Sequence, residues 1–360
     1  MPSTPGLLTA LSVSLALSVL LNRRLIRFCH SRGILDPPGK HKRHSVPTPN
    51  IGGVSVFVSV GVALTLALAI QGIEIISRQW LSVAVGGLLI FLVGLRDDIR
   101  PVSAWLKLAA QAAAGVGLYW GGLVVDPLYV PLAGEVHLGA WAVLINIFWV
   151  TLLSNAINLI DGLDGLAAGV SLIGAISLSA ITVLLNVSEV TLGCVALAGA
   201  LIGVLYYNLY PARLYLGDSG SLLIGYLFAV FSLLAPIKST TAAALLPSIL
   251  ALGAPIAETL ISFFRRLLAG KSVLKADRKH LFHYLRRIGL GPRATVRAFW
   301  AVGAICGAGA IAMLYSEKSL AVLILVALAV AVFGAILILA LRLRRVPQAH
   351  GGPNETDHHV

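Results

Sequence analysis

Charge is scarce in this chain, and it is unevenly spread. Only 12% of the 360 residues are Asp, Glu, Lys or Arg, while 58% are hydrophobic; a soluble domain is closer to a quarter charged and half apolar. A water-facing surface cannot be built from that ratio, which argues against an ordinary soluble domain and points to lipid as the surrounding solvent. Acidic residues are outnumbered, 15 against 27 Lys and Arg, for a formal net charge of +12. That excess suits phosphorylated substrates or anionic membrane lipids; no nucleic acid is expected, because no soluble basic domain is there to carry it. Cysteine is nearly absent. Cys29, Cys194 and Cys306 are scattered, so neither a disulfide framework nor a thiolate metal site follows. Also missing are a GxxxxGK[ST] loop and a GxGxxG turn after a strand, so any nucleotide is held by other means.

What is abundant is apolar sequence in runs of about twenty residues, the length that crosses the ~30 Å hydrocarbon layer. The runs lie near 4–22, 51–71, 80–95, 104–122, 140–158, 166–186, 189–207, 219–236, 240–264, 297–315 and 319–341. The expectation is an all-α polytopic membrane protein with about 11 transmembrane helices, or 10 if the short third run or the closely joined sixth and seventh do not count separately. The first run has no basic leader and is followed by Asn22-Arg23-Arg24 rather than a small-residue cleavage site, so it reads as a retained helix. Residues 1–345 form a single transmembrane catalytic domain in this reading, and 346–360 a disordered cytosolic tail. The segment 123–139, with Pro127, Pro131 and Gly134, reads as a short irregular or hairpin loop.

The basic residues orient the chain. Of the 27 Lys and Arg, all but Arg78, Lys238 and Lys318 fall on one set of alternate loops and their flanks. By the positive-inside rule those loops are cytosolic, the N-terminus is periplasmic and the C-terminus cytosolic. Asp36, Asp97, Asp98, Asp161, Asp164, Asp218 and Asp277 lie in or beside the same loops. A lipid or solute transporter, the competing class, would place ionisable groups near the midplane. Polar chemistry at one rim favours an interfacial enzyme.

Five cytosolic segments carry that chemistry. The first holds Lys40, Lys42 and Arg43 with His41 and His44 among prolines and glycines; such a cluster neutralises a diphosphate or contacts lipid headgroups. The second ends a span with Asp97-Asp98, two carboxylates that repel each other unless a hard cation or a proton is shared. Lys107 and Gln111 follow on one helix face. The third, Asn155 to Leu166, spaces Asn155, Asn158, Asp161 and Asp164 by three and contains no Lys or Arg. In the fourth, Asn208 and Tyr215 precede Gly217-Asp218-Ser219-Gly220; Asp218 reads either as a helix N-cap or as a metal ligand, and Tyr215 as a nucleobase platform or a core aromatic. The fifth has Asp277-Arg278-Lys279-His280-Leu281-Phe282-His283, whose two histidines share a helix face among cations.

Taken in order, Asp36…Pro38…Lys42-Arg43-His44…Gly52-Gly53, Gly94…Asp97-Asp98, Asn158…Asp161-Gly162…Asp164-Gly165-Leu166, Gly217-Asp218…Gly220 and Asp277-Arg278…His280…His283 resemble the polyprenyl-phosphate N-acetylhexosamine-1-phosphate transferases (glycosyltransferase family 4). The last segment, without a run of three consecutive histidines, is similar to the undecaprenyl-phosphate GlcNAc-1-phosphate branch. His41 stands where the family usually has Arg, Glu258 where it has Asp, Phe282 where it often has a third His, and Tyr215 where it has Phe.

The resemblance implies transfer of N-acetylhexosamine-1-phosphate, GlcNAc-1-phosphate first of all, from a UDP-sugar to undecaprenyl phosphate, releasing UMP. It implies Mg²⁺, or Mn²⁺ in its place, and a bacterial inner membrane with the active site facing the cytosol. The product would start a cell-surface polysaccharide such as O-antigen, and a homodimer is compatible with the sequence. By the same resemblance Asp218 is the main metal ligand, with Asp98 assisting, and Asp97 deprotonates or orients the lipid phosphate. Asp161 and Asp164 are catalytic and, with Asn158, hold the nucleotide-sugar. Lys42, Arg43, His44, Lys107, His280 and His283 bind substrate, and Asn208 and Tyr215 contact uridine.

Overall fold

The computed structural model describes residues 1–36, 47–124, 126, 128–130, 134–238, 249–268, 281, 282, 285 and 289–315. Ten helices are described: α1 (Thr4–Arg32), α2 (Gly53–Ile70), α3 (Arg78–Ile99), α4 (Ala104–Trp120), α5 (Ala142–Ile160), α6 (Leu166–Leu184), α7 (Ser188–Asn208), α8 (Gly217–Lys238), α9 (Gly253–Leu268) and α10 (Pro292–Leu314). Eight of them are long and apolar enough to cross a membrane. The exceptions are α4 and α9, the two shortest at 17 and 16 residues. The expected eleven spans are thus eight among the described residues. The run at 319–341 and the tail at 346–360 lie outside them, as does most of the first half of the run at 240–264.

Lipid offers no water to unpaired amides, so each span satisfies its own backbone as a helix. Serines start three of the helices: Ser3, Ser77 and Ser103 accept the N–H groups of Gly6, Trp80 and Leu106. Helix α1 runs past its expected end because nothing between Asn22 and Arg32 breaks it. It stops at Gly33, whose φ of +66° closes the last turn through an N–H bond to the Cys29 carbonyl. Between α4 and α5 the chain makes the expected hairpin. β1 (Leu128–Val130) pairs antiparallel with β2 (Gly134–Val136), Tyr129 opposite Glu135. Asp126 holds its base by accepting the Leu138 and Gly139 N–H groups at 3.0 and 2.9 Å, and these bonds, Leu138's first, lower its pKa.

Helix α8 is the axis of the bundle. Every residue from Ser219 to Ala235 is buried, with α2, α3 and α5 packed against it. Helices α1 and α7 join through α2, and α6 packs on α7; α10 rests on α6 and α9 on α5. Lipid is as apolar as leucine, so close backbone approach and interhelical hydrogen bonds hold such bundles rather than hydrophobic burial. Gly53 abuts Gly220, Gly225 abuts Leu153, and a methyl at Gly94 would lie 2.6 Å from the Ser219 Cα. Higher up, Trp149 Nε1 donates to Ser232 Oγ at 2.7 Å and the Tyr226 hydroxyl to the Val83 carbonyl at 2.9 Å. The three cysteines are buried free thiols.

Candidate active site

The site forms where α3 ends and α8 begins. Because Gly94 lets α3 lie on Ser219, Asp98 reaches the first amides of α8. Its Oδ1 accepts the Asp218 N–H at 2.7 Å, and its Oδ2 accepts the Ser219 N–H at 3.0 Å and the Ser219 hydroxyl. The Asn50 amide adds a 3.4 Å bond. The first N–H groups of a helix have no partner within it, and Asp98 supplies one from 120 residues away. Gly217, at φ +75°, has no room for a side chain beside that carboxylate. So the N-cap weighed for Asp218 is Asp98 instead, and Asp98, expected at the metal and in catalysis, has both oxygens engaged by protein donors.

Capping by Asp98 frees Asp218. Its Oδ2 meets Lys107 Nζ at 2.5 Å and its Oδ1 accepts from Asn158 Nδ2 at 3.0 Å. Lys107 also meets Asp97 Oδ2 at 2.9 Å, while Asp97 Oδ1 accepts the Val102 N–H at 2.8 Å. Lys107, Asp97 and Asp218 are 20%, 19% and 26% exposed, so the triad faces the rim without being open to it. One lysine thus bridges the carboxylates of α3 and α8. Asn158 is fixed by a second bond to Ser221 Oγ at 2.9 Å, and Asn155 is tied to Gln111 at 2.8 Å.

The loop between α5 and α6 brings the other carboxylates. Asp164 Oδ2 accepts the Ala212 N–H at 3.0 Å. Asn208, expected at uridine, is buried instead; it accepts the Gly165 N–H at 3.0 Å and donates to the Leu214 carbonyl at 2.9 Å. Both side chains therefore fasten this loop to the irregular segment before α8. Asp161 accepts no hydrogen bond among the described residues. Burial, then the charges of Asp218, Asp98 and Asp164, push it up to about 8.

Tyr215 lies half-buried behind Asp164. Its N–H bonds the Pro49 carbonyl at 2.8 Å, its carbonyl accepts the Gly52 N–H at 2.9 Å, and its phenol bonds Thr48. Asp36 and Thr48 exchange backbone hydrogen bonds at 2.9 and 3.3 Å, so the ends of the first basic segment are pinned together beside the site. Lys42, Arg43 and His44 themselves lie outside the described residues, as do His280 and His283. Leu281 and Phe282, between those histidines, are described: the Leu281 N–H bonds Glu258 Oε1 at 2.9 Å, and the buried Phe282 ring covers Gly162. That contact sets the last segment against the Asp161 loop.

Sequence reasoning missed several supports. Trp300 Nε1 donates to the Gly165 carbonyl at 3.2 Å with its ring over Gly169. Ser219, Ser221, Asn50 and Glu258 likewise hold the site from other elements. The small residues at 162 and 169 were the available signal, since a ring must fill each gap.

The charges of Asp98, Asp164 and Asp218 all bear on Asp161, and Lys107 pairs with Asp97 and Asp218. No three His, Cys, Asp or Glu side chains among the described residues form a ready-made metal cage. Mg²⁺ does not require one, because it takes one or two carboxylates and fills its sphere with water and substrate phosphates. Asp161, which accepts no hydrogen bond among the described residues and feels the Asp218 charge, fits that requirement.

Comparison with known proteins agrees with this arrangement. A model of glycosyl transferase family 4 matches residues 80–235. A Bacillus subtilis protein named "probable undecaprenyl-phosphate N-acetylglucosaminyl 1-phosphate transferase" is 35% identical over 312 residues, 85% of each chain. A decaprenyl-phosphate N-acetylglucosaminephosphotransferase of Mycolicibacterium smegmatis is 30% identical over 355 residues, 89% of this chain and 84% of its own. An undecaprenyl-phosphate alpha-N-acetylglucosaminyl 1-phosphate transferase of Yersinia pestis is 31% identical over 281 residues, 72% of each. With the resemblance running through the elements that build the site, the chain belongs to glycosyl transferase family 4, in the branch of the undecaprenyl-phosphate GlcNAc-1-phosphate transferases.

Proposed function

We propose that this chain transfers N-acetylglucosamine-1-phosphate from UDP-GlcNAc to undecaprenyl phosphate at the cytosolic face of a bacterial inner membrane, as the first step of a cell-surface polysaccharide. The observation that carries the reading is the carboxylate group around Lys107 at the exposed end of α8. It lies at the rim of eight apolar helices, where a lipid phosphate and a soluble nucleotide can meet.

In this reading an oxygen of the lipid phosphate forms a bond to the β-phosphorus of the UDP-sugar. The bond from that phosphorus to the bridging oxygen breaks, and UMP leaves with the electron pair. Positioning and charge neutralisation supply most of the catalysis in such a transfer. Asp97, held by Val102 and Lys107, orients the lipid phosphate and takes its proton. Lys107 moves from its carboxylates onto phosphate oxygens. Asp218 and Asp161 would hold Mg²⁺, which neutralises diphosphate charge when bound. Asn158 steadies Asp218, while Asp164 and Asn208 hold the loop. Lys42, Arg43, His44, His280 and His283 contribute phosphate contacts from the segments anchored at Asp36–Thr48 and Phe282, and Tyr215 stands where a uracil can stack.

The test is UMP release from purified protein in detergent with Mg²⁺, undecaprenyl phosphate and UDP-GlcNAc. Release that needs both substrates and stops in EDTA supports the reading. Release only with another UDP-sugar keeps the reaction and changes the donor. No release from folded protein with any UDP-sugar overturns it.

A further inference from the structure

From the end of the bundle away from the carboxylates to about one turn above Ser219, α2 and α3 part to leave a groove of about 510 Å³ floored by α8. Gly61, Leu64 and Leu68 of α2, Leu81 of α3, and Leu223 and Leu227 of α8 line it. Its inner end stops near the stacked rings of Phe57 and Phe91, 4.3 Å apart. From Phe57 to Leu68 the wall rises ~16 Å at ~1.5 Å per residue, about half of the ~30 Å hydrocarbon layer. The groove is therefore one leaflet deep. Its mouth carries Arg78, the one charged lining residue among the described residues. Arg78 is exposed and makes no ion pair among the described residues, although Glu74 lies four residues away. Ser77 lies beside it.

We infer that this groove binds one anionic phospholipid of the leaflet opposite the carboxylates, with an acyl chain against α8 and its phosphate on Arg78. The depth selects a lipid tail of one leaflet. The position of the cation selects the headgroup side: α3 spans 22 residues between Arg78 and Asp97-Asp98, about a bilayer's thickness at ~1.5 Å per residue, so a phosphate held at Arg78 is not the reacting one. Because Leu223 and Leu227 stand one and two turns above Ser219 on α8, the bound chain would pack the same helix that carries Asp218. The inference does not depend on the transferase reading, since it is tested by binding alone.

Native mass spectrometry of the detergent-purified full chain, titrated separately with phosphatidylglycerol, phosphatidylcholine and undecaprenyl phosphate, tests it. The wild type should retain one phosphatidylglycerol in preference to phosphatidylcholine. Arg78→Gln should weaken phosphatidylglycerol about fivefold, the factor that ~1 kcal/mol per basic residue represents, and leave phosphatidylcholine unchanged. Gly61→Leu should weaken both, because its side chain enters space with no atom within 4 Å of the new Cβ; undecaprenyl phosphate binding should not change. Equal binding of the two phospholipids by the wild type, or a preference that survives Arg78→Gln, overturns the proposal. So does loss of undecaprenyl phosphate binding in Gly61→Leu, which would make the groove the substrate's.

Discussion

The two aspartate pairs, 97–98 and 161–164, divide their work in the same way. In each, one carboxylate is tied to backbone amides of another element: Asp98 to the start of α8, Asp164 to Ala212. The other faces the charge cluster: Asp97 through Lys107, Asp161 with no hydrogen bond among the described residues. The pairs differ in what the tied member holds. Asp98 fixes a helix that carries a further carboxylate, whereas Asp164 fixes a loop. The comparison separates carboxylates bonded to backbone amides of another element from those that face the charge cluster, a distinction that their shared motif conceals.

The largest effect should fall on the residues that face the cluster. Asp161→Asn and Asp218→Asn should each lower UMP release about 10²–10³-fold, the scale of losing one aligned electrostatic partner, with melting temperature lowered little if at all. Asp98→Asn should lose both activity and stability, because an amide has one accepting atom where the Asp98 carboxylate uses two, for the Asp218 and Ser219 N–H groups; an unsatisfied buried donor costs about 1–3 kcal/mol. Thermal unfolding beside UMP release decides this: an unchanged melting temperature with activity gone would move Asp98 from the scaffold to the chemistry. Asp164→Asn should cost about 1 kcal/mol and less than tenfold in activity. A loss as large as that of Asp161→Asn would break the comparison.

The comparison extends to pH dependence. Burial and its neighbours raise Asp161 to about 8, so its ionisation costs the folded state stability. The cost is absent below the ordinary carboxylate value of about 4, grows as pH rises and is complete above about 8. Asp161→Asn removes it. In EDTA the variant should melt above the wild type by a margin that widens from pH 5 to 9, and a constant margin would show that Asp161 is not raised.

Much of the fold was legible because a membrane imposes a length and a hydropathy that a sequence cannot hide. The spans at α2, α3 and α5 to α8 and the hairpin after α4 lie where the apolar runs and the prolines place them. The extension of α1 to Arg32 was not legible, since polar helix looks the same as loop in a hydropathy pattern; nor was the turn at Leu252 before α9, which falls inside an apolar run. The site divides along another line. Asp97, Asp161, Asp218, Asn158 and Lys107 could be picked out because charge at a rim is costly and conspicuous. That Asp98 caps α8, that Asn208 is a buried tie, and that Phe282 covers Gly162 are pairings across 120, 43 and 120 residues. Local periodicity carries no record of them.

The glycine seats of α8 have a mechanical consequence. With Gly53 on Gly220, Gly94 on Ser219 and Gly225 on Leu153, backbone grips the helix from three sides near one end. It cannot serve as a piston, and a signal that reached the far end of the bundle could not be relayed by sliding it. The chain outside those seats can change its sequence without loosening that grip.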